Sequence, residues 1–180
     1  MAGPHAASFS LANKAARVVW GLAWLGLCRF TPPPLWGWRR LVVRLFGAKI
    51  GAGVRIYGST RIWLPANLEL GDNVLIGPRV NCYDQGRITI GAGTVVSQDA
   101  SLVASTHLVD EPDFPLVLRP IRIGSEAWIA AEAFVGPGVT IGDGAVLGAR
   151  GVAMSDLEGW NYYRGNPASL IKPRPRPGLR

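Results

Sequence analysis

One imidazole, His107, stands inside the patterned part of this 180-residue chain; the other histidine, His5, lies near the N-terminus. Imidazole is the side chain best matched to taking up and returning a proton near neutral pH. It acts as a base when a partner on one ring nitrogen fixes the tautomer and leaves the lone pair of the other free. Four carboxylates are candidates for that partner: Asp84, and Asp110, Glu111 and Asp113 just downstream of the histidine. The last three sit in a polar segment that also reads as solvated surface. Asp84 closes the run Asn81-Cys82-Tyr83-Asp84, in which Asn81 and Tyr83 add polar groups able to orient His107 or bind a substrate. Spacing does not choose among them. A catalytic zinc needs about three protein ligands, and one histidine in this part of the chain does not supply them, so no metal is expected. Cys28 and Cys82 both fall in apolar surroundings and read as buried thiols, in keeping with a reducing, cytoplasmic compartment.

The element that must position His107 is a six-residue rhythm. Ile50, Ile56, Ile62, then Leu70, Ile76, Cys82, then Ile90, Val96, Leu102 recur at sixth positions, and the series resumes at Ile123, Ile129, Val135, Ile141, Leu147 and Ala153. Helices repeat every 3.6 residues and strands every 2, so neither accounts for it. Six is the period of a parallel β-helix built from three short strands per coil. Blocks 50–67, 70–87, 90–107, 123–140 and 141–158 give about five coils. Residues 108–122, with three prolines, are expected to protrude as a loop, and His107 is its first anchor.

The ends differ from this middle. Residues 1–68 carry nine Lys or Arg and no carboxylate, 69–158 carry five basic and twelve acidic residues, and 159–180 carry five basic and no acidic ones. Cationic ends suit phosphates of a cofactor or substrate, or an anionic membrane surface; no recognition motif supports nucleic acid. Residues 1–49 form an extension with two helical stretches, 10–30 and 36–46, separated by Thr31-Pro32-Pro33-Pro34. The apolar run 18–28 is short of the ~20 residues that span a bilayer, and Arg29-Phe30-Thr31-Pro32 makes a poor cleavage site, so secretion is not expected. These Trp- and Arg-rich helices suit a membrane interface and equally suit capping of the open first coil. The proline-rich end from Lys172 onward is expected to be mobile.

The hexads from Ile50 to Glu158 resemble the left-handed β-helix, hexapeptide-repeat acyltransferases, and among them the colanic acid biosynthesis acetyltransferase group. The likeness extends through Phe9-Ser10-Leu11-Ala12-Asn13-Lys14, Gly37-Trp38-Arg39-Arg40, Ala127-Trp128-Ile129-Ala130-Ala131 and Gly165-Asn166-Pro167-Ala168. It implies an all-β fold, a left-handed parallel β-helix with an N-terminal helical extension (1–49), a catalytic solenoid (50–158) and a tail (159–180) completing a coenzyme A site. It further implies acetyl-CoA as co-substrate, a sugar hydroxyl of an exopolysaccharide or lipid-linked oligosaccharide precursor as acceptor, and a homotrimer with sites between neighbouring solenoids. By position, His107 matches the general base and Trp128 the tryptophan lining the acyl-CoA channel. Ala130, Ala131 and Ala149 match positions whose backbone amides meet the pantetheine arm. Asn166 and Pro167 match the adenine end, and Lys172 the basic residue near the CoA phosphates.

Relatives read Ser-His-Asp-Tyr where this chain has Thr106-His107-Leu108-Val109, so the Asp following the histidine is missing. Ser155 and Ser169 stand where relatives often carry Lys, with Arg164 and Lys172 as substitutes. The expected reaction is proton removal from a sugar hydroxyl by His107 and attack on the thioester carbonyl, with an amide N–H near Ala130 or Ala131 meeting the oxyanion. Alternatives are N-acylation of an amino sugar with the same base, and a non-catalytic β-helix scaffold.

Overall fold

The structure, a computed structural model, describes residues 9–176; His5 lies outside them. The rhythm is realised as a mostly β, parallel solenoid with three flat faces. One face stacks Lys49–Ile50, Leu68–Leu70, Ile88–Ile90, Ile121–Ile123 and Thr140–Ile141. A second stacks Arg55–Ile56, Leu75–Ile76, Val95–Val96, Trp128–Ile129, Val146–Leu147 and Asn161–Arg164. The third stacks Arg61–Ile62, Asn81–Tyr83, Ser101–Val103, Phe134–Val135 and Val152–Ala153. The hexad residues fall in register: Ile56, Ile76, Val96, Ile129, Leu147 and Tyr163 lie above one another, all buried. Cys82 sits in the same interior column as Ile62 and Leu102. Each such aliphatic contributes ~1.5–3 kcal/mol on burial, and only stacking achieves it. Glycines after the inward residues answer to close stacking: a Cβ on Gly71 would lie 2.7 Å from the backbone nitrogen of Ala92, one coil on.

Three expectations are corrected. The solenoid has about six turns rather than five, because residues past 158 continue it: Leu157 bridges Ile141 and Asn161–Arg164 pairs in parallel with Val146–Leu147. The tail expected to be mobile from Lys172 is held over its described part, 172–176, while 177–180 lie outside the described residues. Ser169–Pro173 returns antiparallel along Asn161–Arg164, and Arg174 N–H donates to the Trp160 carbonyl at 2.7 Å. Pro173 is tolerated there because the strand is an edge and needs no further donor. The protrusion, expected as a loop over 108–122, does project, but as a hairpin arm with shifted bounds: Ser105–His107 pairs antiparallel with Leu116–Leu118, and Ile121–Ile123 has already rejoined the first face.

Two helices close the bottom of the solenoid. Helix α1 (Leu11–Leu27) begins at Ser10, whose Oγ accepts from the Asn13 N–H, and α2 (Trp36–Leu45) follows the prolines. The first coil has no coil beneath it, so carbonyls that would face a neighbouring strand need other donors. Trp and Arg side chains, which only donate, supply them. Trp20 Nε1 reaches the Ile62 carbonyl (2.8 Å) and Trp24 Nε1 that of Thr60 (3.1 Å). Arg39, Arg40 and Arg44 reach the carbonyls of Ile56, Val54 and Ile50. Arg39 is wholly buried and also binds Thr31, Pro32 and Pro33, pinning the proline turn. Of the two expectations for these helices, capping is the one these contacts realise. No helix among the described residues is long and apolar enough to cross a membrane.

Candidate active site

The hairpin arm leaves the solenoid above the corner that carries 81–84: Tyr83 pairs with Val103, and the Ala104 N–H donates to the Tyr83 carbonyl. His107 ends the outgoing strand and is exposed. Its Nδ1 lies 2.7 Å from the Phe114 carbonyl oxygen, and its ring stacks on the Phe114 ring with centroids 4.6 Å apart and planes 11° from parallel. A carbonyl oxygen can only accept, so Nδ1 carries the hydrogen and the Nε2 lone pair is left free. Phe114 achieves this from a left-handed backbone, φ +46°, which costs a non-glycine residue on the order of 1 kcal/mol. The turn is closed by the Leu108 N–H to the Pro115 carbonyl and the Phe114 N–H to that of Glu111. The partner of the histidine is thus main chain, a solution that does not need the Asp absent at Leu108.

The carboxylates considered from sequence go elsewhere. Asp84 is fully buried and its Oδ1 accepts from the N–H groups of Trp63 (2.7 Å) and Leu64 (3.3 Å), tying the second coil to the turn of the first. Its Oδ2 has no hydrogen-bond partner among the described residues. Burial pushes its carboxyl up to about 7 despite those hydrogen bonds. Asp110, Glu111 and Asp113 are exposed on the arm, and none of them makes a hydrogen bond or ion pair with His107. Tyr83 is exposed, its hydroxyl accepting from Gln85 Nε2 at 2.9 Å, and Asn81 is half-buried on the strand below.

Four of the positions matched to a coenzyme site converge on the second face. Trp128, Ala130, Ala131 and Ala149 line one cavity of about 340 Å³ with Ser97, Gln98, Val146, Gly148 and Tyr162. Small side chains on three successive rungs leave the trough open, and Trp128 forms its wall, its Nε1 donating to Ser97 Oγ at 2.9 Å. A second cavity of about 410 Å³ lies across Trp128 and is bounded by Val95, Glu126 and Arg174. The Ala130 N–H is already engaged with the Leu147 carbonyl, so of the two amides expected to meet an oxyanion it is not free. Lys172 is the rung partner of Tyr162, beside the trough, whereas Asn166 and Pro167 sit on the exposed turn between the last two strands and line neither cavity. Arg174 and Arg176, whose guanidinium groups lie 5.8 and 5.5 Å from the Trp160 ring centroid, add cationic groups that the sequence reading passed over as tail. Phe114 was missed as well, because the group it contributes is a carbonyl. His107 lines neither cavity. Among the described residues no three metal-ligating side chains converge.

No family model matches the chain. Over 156 residues it is 42% identical to WcaF of Escherichia coli (strain K12), which bears the name of a colanic acid biosynthesis acetyltransferase; the match covers 87% of this chain and 86% of WcaF. Among solved structures, a maltose O-acetyltransferase from Clostridium difficile 630 superposes with a TM-score of 0.84 at 22% identity, covering 93% and 90% of the two chains. The hexapeptide-repeat acetyltransferase VCA0836 of Vibrio cholerae O1 biovar eltor, solved with acetyl coenzyme A, gives 0.84 at 21% identity, covering 96% and 94%.

Proposed function

This chain belongs to the hexapeptide-repeat acetyltransferases, the family of WcaF, and on that premise we propose that it transfers acetyl from acetyl-CoA to a hydroxyl of an exopolysaccharide sugar precursor, with His107 as general base. The observation that carries the reading is the tautomer lock: Nδ1–H held by the Phe114 carbonyl, Nε2 free and exposed. In the proposed step Nε2 takes the proton of the acceptor hydroxyl as its oxygen attacks the thioester carbonyl carbon. The tetrahedral oxyanion then collapses, the C–S bond breaks, and the imidazolium returns its proton to the departing thiolate of coenzyme A. The corner amide of the half-buried Ala131 is the donor we assign to the oxyanion, since Ala130 is committed to its rung; such a donor contributes ~10²–10³-fold. The trough beside Trp128, with Lys172 paired to its lining residue Tyr162 and Arg174 on the adjoining cavity across Trp128, suits a narrow pantetheine arm ending in phosphates.

His107→Ala is expected to lower kcat by ~10²–10⁴-fold with an unchanged melting temperature, read as free-thiol release from acetyl-CoA over a panel of sugars. Near wild-type release would remove His107 from the mechanism, and turnover confined to amino sugars would convert the reading to N-acylation. Because His107 lines neither cavity of its own chain, we assign the complete site to two copies in a homotrimer, the arm of one facing the trough of the next. Co-expressed His107→Ala and Ala149→Trp chains, each inactive alone, should regain turnover when mixed; failure to regain it would put the whole site in one chain.

A further inference from the structure

The two helices that close the solenoid leave their outer sides uncovered. Residues 18–27 of α1 contain no charged side chain, and their only strong hydrogen-bonding side chains, the indoles of Trp20 and Trp24, point inward. A helix apolar on all sides is normally buried on all sides. Here Leu11, Val18, Leu22 and Leu25 form an exposed stripe opposite Trp20 and Trp24, with Leu22 66% and Leu25 53% accessible. Phe30 follows at 82%. Helix α2 repeats the pattern: Arg39, Val42 and Val43 are buried, and Trp38, Leu41 and Leu45 are exposed at i, i+3 and i+7. Both helices donate to the underside of the same coil, so both stripes face away from it.

Charge says what covers this plate. The first 68 residues hold nine basic side chains and no acidic one. Arg17, Arg29 and Arg61 line a groove of about 440 Å³ between α1 and the strand Arg61–Ile62, together with Trp20, Trp24 and Trp63, and no carboxylate lines it. A second copy of the chain would bring the same positive field to the contact and be repelled. An anionic surface with an apolar interior meets both properties. At 17 residues α1 measures about 25 Å, short of the ~30 Å hydrocarbon core, so the helix would lie along such a surface rather than cross it. We propose that the underside of the cap docks on an anionic phospholipid bilayer, with Leu22, Leu25, Phe30 and Leu41 seated at the acyl boundary and the exposed Arg29 and Arg61 on lipid phosphates, while Arg17 stays stacked on the Trp63 ring at 4.4 Å. This does not depend on the acyl-transfer reading.

The test is flotation of the full chain with phosphatidylcholine vesicles, with and without phosphatidylglycerol. The full chain is expected to float with the anionic vesicles and at least about tenfold less with neutral ones. Leu22→Glu/Leu25→Glu should reduce binding by more than about tenfold, and Arg29→Gln and Arg61→Gln by about fivefold each at low salt. The replaced leucines are exposed, so the melting temperature should hold; should that pair misfold, Leu41→Glu/Leu45→Glu reads the same plate. Wild-type flotation by both Glu pairs, or failure of the full chain to float with phosphatidylglycerol, overturns the proposal. So does a particle mass, measured by light scattering without lipid, that halves on introducing the glutamates, because the face would then join two copies.

Discussion

At the bottom of the solenoid side chains hold the main chain; on the arm the main chain holds a side chain. In the cap, Trp20, Trp24, Arg39, Arg40 and Arg44 each supply donors to backbone carbonyls of the first coil, and the contacts are many and largely sheltered. On the arm a single carbonyl, that of Phe114, fixes an exposed imidazole. Redundant bonds away from water serve stability, because losing a buried donor leaves oxygens with no alternative partner. One bond at an exposed hairpin adds little to stability but determines which nitrogen can act. The cap should therefore fail by unfolding and the arm by losing turnover in an intact fold.

The largest effect tests the cap. Arg39→Met removes the donor to four residues' oxygens and is expected to destabilise the chain by at least about 3 kcal/mol, a fall of roughly 6–12 °C in melting temperature. The fraction that remains folded should retain its turnover; a stable, inactive variant would erase the contrast. On the arm the order of two substitutions is diagnostic. Phe114→Val keeps an apolar side chain but resists the left-handed backbone, so the carbonyl shifts and kcat should drop by about 10²-fold. Phe114→Gly tolerates that backbone and loses only the stacked ring, so kcat should drop by about tenfold or less. If glycine proved the worse of the two, the ring rather than the carbonyl would be what holds His107.

Asp84 stands between the two regions, a polar side chain holding main chain as in the cap, but ionisable. Its folded value near 7 lies above its ordinary 3.8, so the folded state binds the extra proton between those values. Its contribution is fully present below about pH 4 and is lost as pH rises towards 7. Asp84→Asn keeps an acceptor for the Trp63 and Leu64 amides and does not titrate. The difference in melting temperature between variant and wild type should thus move in favour of the variant from pH 4 to 7; parallel curves would mean that the carboxyl stays charged. The smallest effect belongs to the trough. Ser97→Ala frees the Trp128 indole and should raise KM for acetyl-CoA by about twofold to fivefold with kcat unchanged.

The stacked columns were legible because hexads write a period that no other regular structure shares, and Ile56 above Ile76 above Val96 follows from it directly. The trough was legible only through family likeness, since Ala130, Ala131 and Ala149 offer small size and amides that every residue has. The sixth turn escaped because the inward place after Leu147 falls to Tyr163, 16 residues on rather than 18, and its edge strand contains Pro173. The partner of His107 escaped for a deeper reason: carboxylates announce themselves in a sequence, whereas a carbonyl aimed by one left-handed residue does not. Asp84 was a reasonable candidate by type, and only its burial in the turn with Trp63 removes it from the imidazole.

Parallel strands stacked in register are also a template, able in principle to recruit a further chain at each open end. The helices under Ile50, Ile56 and Ile62 block one end, and the antiparallel return of Ser169–Pro173, with Lys172 and Pro173 on its rim, covers the last strand at the other. The same indoles and guanidinium groups that complete the hydrogen bonding of the first coil therefore limit the molecule's length. Without them the solenoid would be a segment with sticky ends, and its natural product would be a fibre.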